Sequence, residues 1–364
     1  MAIRWFTRWF SWLPDTPGGA ALRSLCCVKK FRKTLARARA RAERLDDGFC
    51  LLTLGVNDWR SGRPTLVHLA RVVRRRLRIT DETGWLDERR IGAILPGTPV
   101  WGAWTVADDL CRSLPAGVAL PECEVYSYPA DWIDSDEERA ARPDIRRRTV
   151  VRHQPAAPVD AFFIQPLPLW KRAMDVLLAS VALALFALLM AVVAAAIKIS
   201  SPGPALFRQE RLGLGGRPFT IYKFRSMVVD AERQQTKLMA MNEQQGPVFK
   251  IRNDPRITPL GRLLRKTSID ELPQLWNVLK GEMSFVGPRP PLAKEVRQYE
   301  LWQRRRLDVT PGLTCTWQVS GRSRIAFTDW IRMDIRYICA RSPGKDVGLL
   351  LRTLPAVILR TGAS

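Results

Sequence analysis

Two adjacent acidic residues, Asp270 and Glu271, stand in a chain that is otherwise strongly basic. Acids beside phosphate-binding groups have two chemical uses: they hold a divalent cation over a diphosphate, or they attack phosphorus as a nucleophile. A purely structural interpretation competes with both, because Ser268 and Glu271 have the spacing of a capping box at a helix start. The apolar face of that helix would carry Leu272, Leu275, Trp276 and Leu279. Gly281 would end it.

Loops that display arginine and lysine lie on both sides of this acidic pair. The segments SSPGPALFRQERLGLGGRPFTIYKFRSM, VGPRPP and VTPGLTCTWQVSGRS are rich in glycine and proline, which restrict the backbone. Planar guanidinium groups bind phosphate through two hydrogen bonds at once, although any one of them alone is more often a solvated surface group. We predict phosphate-binding side chains at Lys223, Arg225, Arg265, Arg289 and Arg322.

Composition limits the partners and the chemistry. The 58 Lys and Arg residues outnumber 35 Asp and Glu residues, and the net charge of +23 predicts a polyanionic partner: nucleic acid, an anionic membrane face or phosphorylated substrates. The two histidines, His68 and His153, are far in sequence from the acidic pair, so acid–base chemistry would fall to carboxylates. Seven cysteines without CxxC spacing predict reduced thiols in a cytoplasmic protein.

A long apolar segment precedes these loops. Between Asp175 and Lys198 lie 22 residues without a charge, a glycine or a proline. At about 1.5 Å per helical residue they cover the roughly 30 Å hydrocarbon core of a bilayer, although a buried core helix would show the same composition. Basic residues flank the segment where anionic headgroups would sit, namely Lys171, Arg172, Lys198, Arg208 and Arg211. We predict a membrane helix at 175–198.

From about Pro168 to the C-terminus, the chain closely resembles the bacterial sugar transferases, the monotopic polyprenyl-phosphate phosphoglycosyl transferases. The matching motifs are SPGPALFRQERLG, IYKFRSM, RITPLGRLLRKTSIDELPQLWNVLKGEMSFVGPRPP and PGLTCTWQVSGR. The resemblance implies transfer of a sugar phosphate from a UDP-sugar to a polyprenyl phosphate, with release of UMP and with Mg²⁺ as cofactor. It places the family's nucleophilic aspartate on Asp270 and its partner glutamate on Glu271, both candidate metal ligands, and its phosphate-binding arginines on Arg265 and Arg289. Glu271 is left as either Mg²⁺ ligand or proton acceptor.

Two arguments about the topology of the membrane helix conflict. Some members of the family break this helix with a Ser-Pro pair, where this chain has Ala187 and Leu188. An unbroken helix is long enough to span the membrane. UDP-sugars are cytoplasmic, however, and both flanks are basic, so we predict that both ends stay on the cytoplasmic face of the inner membrane. The helix would then bend near Ala187, with Val347 to Leu359 along the interface.

The N-terminal half divides into three parts. Residues 1–45 form a basic amphipathic segment, in which MAIRWFTRWFSWLPD lacks the features of a signal peptide and either lies in a membrane interface or packs on the protein itself. Its run from Lys29 to Arg44 predicts a solvated helix. Residues 46–132 alternate strand and helix patterns and predict a compact α/β domain. Residues 133–167 are rich in Pro, Asp and Arg and predict a linker before the transferase domain at 168–364.

Within residues 46–132 the pattern predicts strands at Phe49–Val56, Glu88–Gly97 and ECEVYSYP, and helices at Thr65–Arg78 and Trp104–Ser113. The sequence LRITDETGWLDERRIGAILPGT resembles diguanylate cyclase (GGDEF) domains. The signature loop of that family is replaced here by residues 87–91, and Gly55 and Asn57 stand where its metal-binding acids lie. The resemblance therefore implies a degenerate, non-catalytic relative that synthesises no cyclic dinucleotide.

We therefore predict an α+β protein: a mainly helical, membrane-associated catalytic domain with a re-entrant or spanning hydrophobic helix, preceded by a small α/β domain. The partners would be a UDP-sugar, polyprenyl phosphate and an anionic lipid face, with no nucleic acid. A signalling or scaffold protein built around the cyclase-like domain is the alternative, disfavoured because the C-terminal motifs are intact and the cyclase-like loop is not. The sugar, the polysaccharide and homo-oligomerisation are left open.

Overall fold

The computed structural model describes residues 19–23, 25–45, 47–56, 59–129, 150–243, 246–249, 251, 253–321 and 325–358. The chain divides into two compact units, Met1–Phe163 and Ile164–Ser364. Residues 1–18, which include the aromatic N-terminal stretch, and residues 130–149, which include the first part of the predicted linker, lie outside the described residues.

The N-terminal unit is built around one mixed sheet. Its helices are α1 (Gly19–Arg23), α2 (Val28–Leu45), α3 (Trp59–Arg76) and α4 (Val100–Arg112), and its strands are β1 (Phe49–Gly55), β2 (Glu82–Trp85), β3 (Arg90–Pro96), β4 (Glu122–Tyr128) and β5 (Ala157–Pro158). The strand order is β2-β3-β1-β4-β5, and β1 runs antiparallel to both β3 and β4. From β1 to β4 the chain follows the β-α-β-β-α-β order of a split βαβ unit.

Helices cover both faces of this sheet, which is why β1 is buried along its whole length. On one face, Leu52 and Leu54 of β1 share a core with α3 and α4. On the other face, the Phe31 ring of α2 lies over the paired glycines Gly84 and Gly92, where an added Cβ would come within 2.7 and 2.5 Å of that ring. The basic run forms the predicted helix, but α2 is not solvated throughout, because Phe31, Leu35, Arg39 and Ala42 are buried on one face.

The predicted strands and helices of this unit are confirmed, with the start of α3 moved six residues upstream and the other ends shifted by up to four residues. Strand β2 was not predicted, because DETGWLD is short and polar and resembles a turn. Residues 150–163 of the predicted linker belong to this unit: Val151 and Val159 are buried, and Asp108 of α4 accepts hydrogen bonds from the amides of Val150 and Val151 at 2.8 and 3.1 Å.

The C-terminal unit is mainly helical, with short two-stranded sheets. Its helices are α5 (Leu169–Ser200), α6 (Ala231–Lys237), α7 (Pro259–Lys266), α8 (Gln274–Lys280), α9 (Ala293–Val296), α10 (Thr316–Ser320), α11 (Phe327–Cys339) and α12 (Pro343–Ile358). Its strands are β6 (Leu206–Leu212), β7 (Pro218–Phe224), β8 (Ser284–Val286) and β9 (Gly312–Thr314). Strands β6 and β7 form an antiparallel hairpin, and β8 and β9 pair in parallel.

Helix α5 contains the long apolar segment and runs unbroken for 32 residues, about 48 Å at 1.5 Å per residue. Only 11% of its most apolar 18-residue stretch is buried. More than half of the residue surface is exposed at Leu177, Val181, Leu185, Leu188, Val192 and Ile199. A core helix of a soluble protein would bury these residues, so α5 is not packed as a core helix by the part of the chain that the structure describes.

The basic residues at the ends of α5 do not all face outward as predicted. Lys171 is only 1% exposed and pairs with Asp346 of α12, and Arg172 donates to the carbonyls of Val278 and Leu279 at 2.8 and 2.6 Å. Arg211 is buried as well. The prediction that all five flanking cations meet lipid headgroups is therefore wrong, because several of them satisfy buried acceptors instead.

Both ends of the apolar segment pack on the C-terminal unit. Ala179 shares a cluster with Val278 and Met283, whereas Val193 and Ile197 share one with Phe224 and Leu264. The helix continues through Ala187 without interruption. The predicted bend near Ala187 is therefore not accompanied by a break in the helix, and it stays a prediction.

Candidate active site

The acidic pair lies in a short 3-10 turn, Ile269–Glu271, between α7 and α8. Ser268 precedes it in the left-handed region at φ 56° and makes no side-chain capping bond, so the predicted capping box is wrong. A non-glycine residue at positive φ is strained, and such strain is found mostly where the chain must turn sharply at a site. The carboxyl groups thus belong to a separate turn, and their helical-capping role is not supported.

Helix α8 begins only after this turn, with Pro273 at its N-cap position, and ends as predicted at Gly281, where φ is 87°. Its predicted apolar face is correct for Leu275, which is buried, but Trp276 is 51% exposed. The buried residues of α8 are Gln274, Leu275, Asn277 and Val278, so its buried face lies to one side of Trp276.

Asn277 in α8 fixes the helix to strand β7. Its amide nitrogen donates to the carbonyl of Thr220 at 2.7 Å, and its side-chain oxygen accepts from the amide of Tyr222 at 3.2 Å. Asn277 is fully buried. Sequence reasoning missed this residue, although a lone asparagine within QLWNVLK was a usable signal, because a buried amide must find partners.

Strand β7 brings Lys223 to the acidic pair. The Lys223 ammonium donates to Glu271 Oε1 at 2.6 Å, although 48 residues separate the two in the sequence. The pairing register of β6 with β7 and the contact of β7 with α8 place Lys223 beside the negative charge of Glu271. The structure thus joins three of the predicted site residues: Lys223, Asp270 and Glu271.

The two carboxyl groups differ in their electrostatics. Asp270 is 7% exposed, and its burial, with the neighbouring charge of Glu271, raises its pKa to about 6. Burial alone would raise the pKa of Glu271 too, but Lys223 and then Arg289 outweigh it and lower that pKa below its usual value. Among the described residues, no other residue donates a hydrogen bond to the Asp270 carboxylate. Asp270 is therefore a buried carboxylate to which no other described side chain donates a hydrogen bond, and Glu271 is the member of the pair whose charged form the surroundings favour.

Arg265 is positioned by a close contact between α7 and the chain after β7. Thr258 caps α7 by accepting from the amide of Gly261 at 3.0 Å. A Cβ on Gly261 would lie 1.9 Å from the carbonyl oxygen of Ser226, so only glycine allows this approach. Arg265 Nε donates to the Ser226 hydroxyl at 2.9 Å. Its two terminal nitrogens make no hydrogen bond within the part of the chain that is described, which leaves a two-pronged donor available.

For Arg225 and Arg322 the predicted phosphate binding is neither supported nor contradicted by the structure. Arg225 is buried and donates from Nη2 to the carbonyl and hydroxyl of Ser201, at 2.9 and 2.8 Å. Its Nη1 atom is buried without a partner. The prediction that Arg225 binds phosphate stays open, because this residue also fastens the turn after α5. Arg322 lies outside the described residues.

A cavity of about 1910 Å³ contains these groups. Its charged lining consists of Lys223, Arg225, Arg265, Asp270, Glu271 and Arg289, along with Arg211, Asp254, Arg256, Arg262, Lys266, Glu232, Lys294 and Glu295. The same cavity is lined by apolar side chains of α5, among them Leu178, Val181, Leu185, Phe186 and Leu189. Such a cavity suits a molecule with an anionic head and an apolar tail.

The donor set for a metal ion is small. Within the described ranges, no group of three or more His, Cys, Asp or Glu side chains could hold a metal. Mg²⁺ needs no such cage, since it is usually held by one or two carboxylates together with substrate phosphates and water. Asp270 and Glu271 therefore fit a cation that arrives with a diphosphate.

Comparison with known proteins places residues 167–360 in the family described as bacterial sugar transferase. The galactosyl transferase CpsE of Streptococcus agalactiae is 51% identical over 162 residues, which are 44% of this chain and 36% of CpsE. The UDP-glucose:undecaprenyl-phosphate glucose-1-phosphate transferase of Caulobacter vibrioides is 42% identical over 211 residues, which are 54% of this chain and 75% of that protein. The chain thus spans little more than a third of CpsE and three quarters of the Caulobacter protein.

Among solved structures, the GGDEF domain of PA1120 from Pseudomonas aeruginosa is 20% identical to this chain, with a TM-score of 0.25. The alignment covers 30% of this chain and 74% of that domain. A likeness at this score carries no argument, and the cyclase-like relationship of residues 46–132 stays a prediction.

Proposed function

The chain belongs to the bacterial sugar transferase family, and we propose that it transfers a sugar 1-phosphate from a UDP-sugar to a polyprenyl phosphate, with release of UMP. The Caulobacter relative carries undecaprenyl phosphate in its name, and CpsE is named for galactose. These names differ in the sugar, so the proposal stops at the class of UDP-sugars. The product would be the lipid-linked first sugar of a bacterial exopolysaccharide or another glycoconjugate.

The observation that carries this proposal is the cavity that holds both the buried Asp270 and the apolar side chains of α5. A nucleotide sugar alone would need only the charged part. A polyprenyl phosphate needs both parts, because its phosphate must reach the reacting group while its chain stays in an apolar environment. The arrangement therefore supports an acceptor with a lipid tail.

The proposed chemistry has two displacements at one phosphorus atom. A carboxylate oxygen of Asp270 attacks the phosphorus that bears the sugar, a new P–O bond forms, and the bond to UMP breaks, so that UMP leaves with the bond electrons. An oxygen of polyprenyl phosphate then attacks the same phosphorus, and the bond to Asp270 breaks. Each step exchanges one P–O bond for another, and the second restores the carboxylate.

The other side chains of this chain bind and orient charge. Arg265 and Arg289 would hold the diphosphate oxygens, and Lys223 keeps Glu271 charged beside Asp270. Mg²⁺, when held by Asp270 and Glu271, would screen the negative charge of the diphosphate. With a pKa of about 6, Asp270 is mostly ionised at neutral pH, as a nucleophile must be.

We also propose that α5 inserts into the inner membrane and that both of its ends face the cytoplasm. Residues near each end of its apolar segment pack on the same folded unit, through Ala179 and through Val193 and Ile197. On a straight helix, Ala179 and Ile197 are about 27 Å apart, close to the thickness of the hydrocarbon core. A spanning helix would put these contacts on opposite sides of the bilayer, so the packing favours insertion from one side.

The test uses the purified full chain in lipid nanodiscs with undecaprenyl phosphate, Mg²⁺ and a panel of UDP-sugars. We expect UMP release with at least one sugar. Without acceptor, about one equivalent of UMP per protein should appear as a burst, and intact mass spectrometry should show a phosphosugar adduct that maps to Asp270. Asp270→Asn is the matched control and should give neither. Absence of UMP release by the wild-type protein with every sugar would refute the function, and release without any burst or adduct would refute the covalent step.

A further inference from the structure

The loop that presents Arg289 has almost no hydrogen-bond donors of its own. In the run Pro288 to Pro291, three of four residues are prolines without an amide hydrogen. Such a loop can accept hydrogen bonds through its carbonyl groups but can donate only through Arg289. Its position must therefore be set by donors that come from elsewhere in the fold.

Four consecutive carbonyl groups of this loop each receive one donor. Two donors are backbone amides: Gly312 to Pro288 at 2.8 Å, and Leu212 to Pro291 at 2.9 Å. The two carbonyls between them receive arginine side chains. Arg306 Nη2 donates to the Arg289 carbonyl at 2.9 Å, and Arg211 Nη1 donates to the Pro290 carbonyl at 3.2 Å.

Arg306 is itself held rigidly. It is 2% exposed, its Nη1 donates to the Tyr299 hydroxyl at 2.9 Å, and its Nη2 also donates to Asp334 Oδ2 at 2.8 Å. Its guanidinium also lies 5.5 Å from the centre of the Trp330 ring. A buried ion pair costs desolvation and by itself is weak evidence for stability, so its arrangement around a functional loop calls for another explanation.

We propose that Arg306 is a positioning residue, which sets the direction of the Arg289 side chain toward the substrate phosphates by holding the Arg289 carbonyl. This inference rests on the proposed function. Arg306 does not line the cavity and touches no reacting atom, whereas Arg289 does line it. The role needs the planar fork of arginine, because one guanidinium must reach Tyr299, Asp334 and the Arg289 carbonyl together, which a lysine ammonium cannot reproduce.

The test is a double-mutant cycle on UDP binding, measured by calorimetry with the full chain in nanodiscs. Arg306→Lys keeps the charge opposite Asp334 and should weaken UDP binding about tenfold in the wild-type background. In the Arg289→Ala background the same substitution should change the dissociation constant less than about twofold, because the group that it positions is gone. The melting temperature of each variant is recorded alongside.

Tyr128→Phe is the matched control for loss of a buried hydrogen bond. Tyr128 belongs to the N-terminal unit, is 3% exposed, and its hydroxyl donates to Glu43 Oε1 at 3.1 Å. Whatever its effect on UDP binding, that effect should be equal in both backgrounds. If Arg306→Lys does not fold, Arg211→Lys runs the same cycle through the Pro290 carbonyl.

The outcomes separate this inference from the proposed function. Equal effects of Arg306→Lys in both backgrounds would overturn the positioning role, and so would a wild-type chain that does not bind UDP. A chain that binds UDP with the expected non-additivity, but releases no UMP from any UDP-sugar, would support the positioning role while the proposed transferase function fails.

Discussion

Asp108 in the N-terminal unit and Asp270 in the C-terminal unit are buried to nearly the same degree, with 4% and 7% of their surface exposed. Asp108 accepts from two backbone amides and lies 2.9 Å from His153 Nε2, whose ring stacks on Trp104. Asp270 has no such partner among the described residues. Instead it lies beside a second carboxylate, and its pKa rises to about 6.

The difference separates a structural carboxylate from a reactive one. The protein surrounds Asp108 with donors that compensate for its desolvation, so that it fastens residues 150–153 to α4. At Asp270 the positive charges of Lys223 and Arg265 offset the burial only in part, so the charged form is destabilised and there is room for an external partner. Buried groups with perturbed pKa values collect at functional sites for this reason.

The largest expected effect is on turnover. Asp270→Asn should lower UMP release at least about 1,000-fold, because the nucleophile is removed.

The same substitution should stabilise the fold. The folded-state pKa of about 6 lies above the ordinary 3.8, so the folded protein loses stability as pH rises from about 4 to about 6, and the cost is complete above that range. Thermal or denaturant unfolding at pH 7.5 should show a gain of up to about 3 kcal/mol.

If Asp270→Asn instead lowers stability and keeps wild-type turnover, both expectations are wrong. Asp270 would then be a structural residue like Asp108, and the distinction between the two carboxylates would not hold.

For Asp108 we expect the opposite of Asp270: substitution should lower stability and leave turnover unchanged. Asp108→Ala should lower the free energy of unfolding of the N-terminal unit by about 1–3 kcal/mol, because the amides of Val150 and Val151 lose a buried acceptor. UMP release per folded molecule should not change. Asp109→Ala is the matched control, since this neighbour is half exposed in a surface pair with Arg76 and should cost less than about 1 kcal/mol. Equal destabilisation by both substitutions would show that the buried hydrogen bonds of Asp108 contribute no more to stability than the surface ion pair of Asp109.

The smallest effects concern pH. The kcat/KM for the UDP-sugar should fall with decreasing pH below about 6, as Asp270 takes up a proton. Glu271→Gln removes the neighbouring negative charge and should move this limb to lower pH, whereas Lys223→Met removes a neighbouring positive charge and should move it to higher pH. Rate profiles between pH 4.5 and 8 would measure both shifts. Movement of the limb in the same direction in both variants would exclude Asp270 as the titrating group.

Much of the site could be predicted from sequence, because its chemistry lies in short motifs. Asp270, Glu271, Arg289 and Lys223 were all identified there, and all four line one cavity. The apolar segment was equally clear, since length and composition need no knowledge of the fold. Asn277, Arg211 and Arg306 could not be assigned their structural contacts, because a polar residue in a motif does not show which backbone group it satisfies.

Sequence alone determined the apolar helix, the family motifs and, apart from β2, the order of strands and helices in residues 46–132, because each depends on residues that are neighbours along the chain. Only the tertiary structure decided the rest. It placed Ser268 in the left-handed region, turned Lys171 inward to Asp346 and paired Lys223 with Glu271 across 48 residues. These contacts depend on long-range packing and on desolvation, and both become defined only when α5, α8 and the β6–β7 hairpin are assembled.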